Sequence, residues 1–156
     1  MRSWVIYIAA AFGFVVYGVV NEADRDSSGA IVGEGNVDAF QIRVGDCFDD
    51  SSSFEDEISH LPGVPCSEPH DNEAFAVFDL TIAAYPDDER MADLVLESCI
   101  ERFEAFVGRD YDSSSLDITT LYPSTESWQQ NDREVICAVY DMNANKLIGG
   151  VKGLGL

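Results

Sequence analysis

From Trp4 to Val20 the chain carries no charged side chain. The run is at the lower end of what crosses a bilayer. Arg2 and the amino terminus precede it, while Glu22, Asp24 and Asp26 follow, with only Arg25 among them. The positive-inside bias keeps residues 1–3 in the cytoplasm and sends the rest outside. Trp4, Tyr7 and Tyr17 lie near the ends of the run, where interfacial aromatics are favoured. A cleaved signal peptide is the competing reading. Val19-Val20-Asn21-Glu22-Ala23 lacks its small-x-small site, and no cysteine follows the run to carry a lipid. The expectation is one uncleaved transmembrane helix over 4–20 in the cell membrane. Everything after it is then extracytoplasmic, and this compartment governs how the remaining sequence is read.

Export makes the cysteines structural. Cys47, Cys66, Cys99 and Cys137 allow three pairings. Pattern favours Cys47 with Cys66, which flank one loop. It also favours Cys99 with Cys137, which fall on apolar faces able to cover each other. Each bridge should contribute about 3 kcal/mol by restricting the unfolded chain. Neither a CxxC pair nor zinc-finger spacing is present, so redox catalysis and a structural zinc site are not expected.

Residues 21–37 are rich in Asp, Glu, Ser, Gly and Asn and read as a flexible acidic linker. Asp24 to Gly29 resembles the opening of a calcium loop, but Gly35 stands where its final glutamate belongs. Residues 38–156 read as an α+β domain, an antiparallel sheet with one principal helix packed on it. Phe40 to Val44 alternates like a strand. Gly45-Asp46 turns the chain into a short extended piece at Cys47-Phe48. An exposed acidic loop follows over Asp49 to Ser59, with another turn at Pro62-Gly63. Glu73 to Leu80 reads as a central strand, apolar on both faces.

Asp87 or Asp88 should then cap a helix that runs to about Val107 and stops at Gly108. Ala92, Val95, Leu96, Cys99, Phe103 and Phe106 form its apolar face, opposite Asp93, Glu97, Glu101 and Glu104. Leu116 to Leu121 is the next strand. Pro123 to Gln130 reads as a short helix or turn, with Ser124 as its cap and Trp128 packing inward. Glu134 to Tyr140 is a strand with Val135, Cys137 and Val139 on one face. After a hairpin at Asp141 to Asn145, Lys146 to Ile148 is expected as an edge strand.

Lys and Arg total 9 against 29 Asp and Glu, a net charge of -20. Such a surface repels phosphate backbones and anionic headgroups, so nucleic acid is not an expected partner. The charge reads first as solubility or adaptation to a salty medium, and after that as suited to a cation or a basic protein face. His70, with Asp71 and Glu73 close by and His60 upstream, could in principle hold a metal or act as a base. Following Pro69 in a turn, its ring is instead expected to bond backbone beside the bridge. Gly45, Asp46, Pro69, His70, Asp71, Glu73 and Trp128 are accordingly read as a structural motif, with Asp71 and Glu73 capping the turn or facing water. No Gly-x-Ser-x-Gly elbow and no phosphate-cradling glycine loop is present. No catalytic, cofactor-binding or metal residue is expected, and the domain reads as non-enzymatic. The alternatives are an accessory subunit of another membrane complex, or a metal-dependent hydrolase using His70.

Val44-Gly45-Asp46-Cys47-Phe48 and Val64-Pro65-Cys66-Ser67-Glu68-Pro69-His70-Asp71-Asn72-Glu73 together resemble the actinobacterial septum formation domain family. The resemblance continues through Phe75 to Leu80, Tyr85-Pro86, Cys99, Tyr122-Pro123, Ser127-Trp128, Asp132-Arg133, Cys137 and the glycine-rich Leu147 to Gly153. It implies an envelope protein associated with the septum, with envelope or septal membrane proteins as partners. It supplies no catalytic residues. The chain departs from the usual pattern at Asn72-Glu73-Ala74 and in its acidity.

Overall fold

The computed structural model describes residues 21–50 and 58–156. The expected membrane helix over 4–20 lies outside them, as does most of the expected acidic loop. Among the described residues no helix is long and apolar enough to cross a membrane.

The strands are β1 (Asp24–Arg25), β2 (Ile31–Gly33), β3 (Gly35–Asp38), β4 (Cys47–Phe48), β5 (His60–Val64), β6 (Asn72–Asp79), β7 (Leu116–Leu121) and β8 (Glu134–Asp141). The helices are α1 (Asp88–Val107) and α2 (Thr125–Gln129). Six strands form one sheet in the order β3-β5-β4-β6-β8-β7, all antiparallel. Strands β1 and β2 form a separate hairpin. The architecture is the expected α+β, an antiparallel sheet with one main helix.

Helix α1 begins and ends where its sequence dictates. The Asp87 side chain accepts from the Arg90 N–H, and Asp88 and Glu89 favour the positive end of the helix dipole. Gly108 adopts φ 85°, a left-handed stop that a side chain would strain. Met91, Val95, Cys99, Phe103, Phe106 and Val107 are buried against the sheet. Each large apolar side chain in that set contributes roughly 1.5–3 kcal/mol by leaving water. The expected apolar face is turned slightly: Met91 belongs to it, while Leu96 is 39% exposed.

On the sheet, a bulge in β6 lets Ala74 pair with Ala138 and Ala76 with Cys137. The extra residue, Phe75, joins Ala76 in the helix-side core and meets the Phe103 ring edge-on at 5.8 Å. Val135, Cys137 and Val139 line the same side, while Ile136 and Ala138 line the other.

That second face carries the main correction. Residues 21–37 are not a flexible linker. They form β1, β2 and β3, and Ile31 and Val37 pack with Ile42, Phe48, Leu61, Ala74, Ile136 and Ala138. The residues read as linker composition are turn chemistry: one Asp26 carboxylate oxygen accepts from the Ser28 and Ala30 N–H groups and holds the hairpin turn. The same turn occupies the stretch resembling a calcium loop. A sheet apolar on both faces needs two covers, and this segment supplies the second.

Three smaller expectations also fail. Phe40 to Val44 is not a strand; the Asp38 side chain caps a 3-10 turn over Ala39–Gln41, leaving Phe40 62% and Val44 51% exposed. Pro62-Gly63 is not a turn but lies inside β5, where the Pro62 carbonyl accepts from the Asp49 N–H. Lys146 to Ile148 is not a strand; only Leu147 pairs, in an isolated bridge to His70, and Ile148 is exposed. The predicted short helix is present as α2, capped by Ser124, with Trp128 buried.

Candidate functional site

The Gly45 to Glu73 segment converges at one end of β6. Gly45 takes φ 92°, and its N–H donates to the Ala74 carbonyl at 2.7 Å. This turn delivers Asp46 into the interior, where the carboxylate is 4% exposed. Arg25 of β1 grips it with two nitrogens, each at 2.7 Å, and the Arg43 N–H adds a third bond at 2.8 Å. The β1–β2 hairpin is thus clamped to the Gly45-Asp46 turn by charge as well as by packing.

Cys47 follows in β4, paired in register with Val64 on one side and Glu73 on the other. Its sulfur is fully buried and bonded to Cys66, 19 residues later. Cys99 of α1 is bonded to Cys137 of β8 and pins the helix to the sheet. Both pairings are those favoured by pattern.

His70 is completely buried. Its backbone exchanges two hydrogen bonds with Leu147, and its Nδ1 lies 2.8 Å from the Glu68 carbonyl oxygen. A carbonyl only accepts, so Nδ1 carries the proton. Nε2 is buried with no hydrogen-bond partner among the described residues.

Glu73 is also buried, at 2% exposure, contrary to its expected place at a turn or in water. Its own strand carries it inward, because β6 is covered on both faces. One carboxylate oxygen accepts from the Val151 N–H at 2.6 Å. Burial still pushes the carboxyl above the ordinary glutamate range, against the pull of that bond.

The glycine-rich tail closes the site. The Gly149 N–H donates to the Cys66 carbonyl, while Gly153 and Gly155 donate to Phe106 and Val107 at the end of α1. Asp71 is half-buried and shares Lys146 with Asp49, both at 2.8 Å. Burial would raise Asp71, but the Lys146 ammonium and the Asp50 N–H together hold the carboxyl below its usual range.

Cys47 Sγ, a ring nitrogen of His70 and a Glu73 carboxylate oxygen all lie within 4.8 Å of one another. These donor types suit zinc. The Cys47 sulfur is committed to its bridge, however, which leaves two available donors. Pro69 and His60 are exposed and do not join the cluster. Trp128 is placed elsewhere, beneath the Arg133 guanidinium at 3.5 Å and edge-on to Tyr85 at 5.7 Å. Arg133 in turn holds the far end of β6 through the Leu80 N–H.

Sequence reasoning missed a groove of ≈ 910 Å³ at that far end, lined in part by Phe40, Ile58, Tyr122, Asp132, Arg133 and Glu134. Phe40, Ile58 and Tyr122 are exposed apolar residues. The polar spacing of Tyr122 to Glu134 gives no periodic signal for such a surface.

A two-bridge α+β domain with a buried histidine–glutamate pair at its stapled turn is the class of protein defined by this fold. A family model described as septum formation matches residues 44–152. The chain therefore belongs to the septum formation family, whose description points to a role related to cell division. Neither a curated protein nor a solved structure matches the chain.

Proposed function

We propose that this chain is a non-enzymatic, membrane-anchored interaction module of the cell envelope that works in septum formation. The family match over residues 44–152 carries the reading. The uncharged run Trp4 to Val20 supports an anchor that holds the domain outside the membrane. Two bridges suit an oxidising compartment and make a rigid surface. The net charge of -20 favours a basic face on the partner. The exposed apolar residues around the groove, Phe40, Ile58 and Tyr122, would form the centre of the contact and the surrounding acids its rim.

A fluorescent fusion followed through division tests the reading. Enrichment at the septum is expected, together with crosslinks to division proteins that weaken in a Phe40→Ser, Tyr122→Ser variant. Uniform envelope fluorescence would count against it, as would crosslinking to a single complex unconnected with division.

A further inference from the structure

The two bridges differ in what surrounds them. Cys99 and Cys137 are both fully buried in the apolar helix-side core. The Cys47–Cys66 bridge is asymmetric: Cys47 is fully buried, whereas Cys66 is partly exposed at the surface. On the buried side stand His70, with one nitrogen unpartnered, and Glu73, both within 4.8 Å of the Cys47 sulfur. A buried polar atom without a partner is rare in folded proteins and asks for an explanation. A disulfide with one cysteine partly exposed and proton-carrying groups beside the buried other is arranged for thiol–disulfide exchange.

We propose that Cys47–Cys66 is a thiol-exchange site, entered at Cys66 by an external dithiol, with His70 and Glu73 managing the proton at Cys47. The incoming thiolate gives its electron pair to Cys66 Sγ and forms a mixed disulfide. The Sγ–Sγ bond breaks and its pair departs with Cys47. A proton from the Glu73 carboxyl, passed directly or through His70, leaves Cys47 as a thiol and Glu73 as a carboxylate. The second thiolate of the dithiol then attacks its partner sulfur in the mixed disulfide, closing an oxidised dithiol and releasing Cys66. Two electrons have moved from the dithiol to the protein. In reverse, the same steps pass an oxidising equivalent outward.

The helix-side bridge joins two fully buried cysteines within a cluster of apolar residues, so it is the internal control. Burial of Glu73 keeps its proton available at higher pH than an exposed glutamate would. The site differs from a CxxC centre in drawing one cysteine from strand β4 and the other from the turn after β5, which is why no local sequence signal announces it.

The test uses the full chain in mild detergent, with dithiothreitol as the dithiol. Samples are quenched with acid over time, alkylated and mapped by mass spectrometry from pH 5 to pH 9. The Cys47–Cys66 bridge should open first, with the trapped adduct on Cys66, by about tenfold or more in rate. His70→Gln and Glu73→Gln should each slow that opening by about tenfold and change its pH profile, leaving the Cys99–Cys137 rate unaltered. Circular dichroism shows whether each variant is folded, and failure of one leaves the other as the test. Simultaneous opening of both bridges, adducts on Cys47, or folded variants with the wild-type rate and pH profile would overturn the proposal. The septal reading does not depend on this chemistry and is unaffected by its failure.

Discussion

The Cys99–Cys137 and Cys47–Cys66 bridges divide the molecule into two kinds of structure. The first belongs to the apolar helix-side core, with Val95, Phe103, Val135 and Val139. The second lies beside His70, Glu73 and Asp46, all buried and all polar. Their sequence separations are 38 and 19 residues. Chain entropy converts these into about 4 and about 3 kcal/mol, a difference too small to distinguish the two regions. Their surroundings distinguish them. The apolar side stores stability in contact area, whereas the polar side stores specificity in bonds that must all be made together.

The largest loss should follow from replacing Cys99 and Cys137 with alanine. The entropic term of about 4 kcal/mol is lost, and the cavity left in a closed core adds to it. Urea unfolding measures this, and a loss smaller than that of the other bridge would break the comparison. Replacing Cys47 and Cys66 should cost about 3 kcal/mol, with protease sensitivity confined to the turn and tail rather than spread through the domain. Unchanged stability would remove the structural role of that bridge.

Asp46→Ala should cost about 2–3 kcal/mol, because it leaves Arg25 without its partner at a partly buried site. Hydrogen exchange should speed up in residues 24–38 before it does in α1. Uniform loss of protection would show that the hairpin and the helix-side core are one unit.

The smallest effect is one of pH. Burial raises Glu73 in the folded state, so folding favours its protonated form. That stabilising contribution is complete below the ordinary glutamate range and is lost as pH rises through the raised value. Glu73→Gln keeps an acceptor for the Val151 N–H but does not ionise. Wild type should therefore lose stability relative to this variant between acid and neutral pH, as read from urea midpoints. A constant difference would mean that Glu73 ionises as freely as an exposed side chain.

The comparison also separates what could be read locally from what could not. Helix α1 was legible because its caps at Asp87 and Gly108 and its apolar stripe are all local signals. The register of Cys99 with Cys137 followed from facing apolar patterns. The backbone bonds of His70 to Leu147 join residues far apart in the sequence and have no local signal. The buried state of Glu73 was not legible, since a glutamate after Asp71-Asn72 looks like a turn acid. Nor was the role of residues 21–37, whose Asp, Ser and Gly content is shared by linkers and hairpin turns alike. Only the presence of an uncovered apolar sheet face decides between those meanings.

Local patterning therefore carried the α+β class, the principal helix and the favoured cysteine pairing, which rest on spacing, capping and periodicity. The family rests on the resemblance of its motifs. Tertiary structure decided that the acidic segment before the domain folds onto it, and that a polar cluster sits behind one disulfide. Both depend on contacts between distant parts of the chain, where burial changes what a charged side chain does. The first hairpin becomes structure because Arg25 finds Asp46, and Glu73 becomes a buried acid because both faces of its strand are covered.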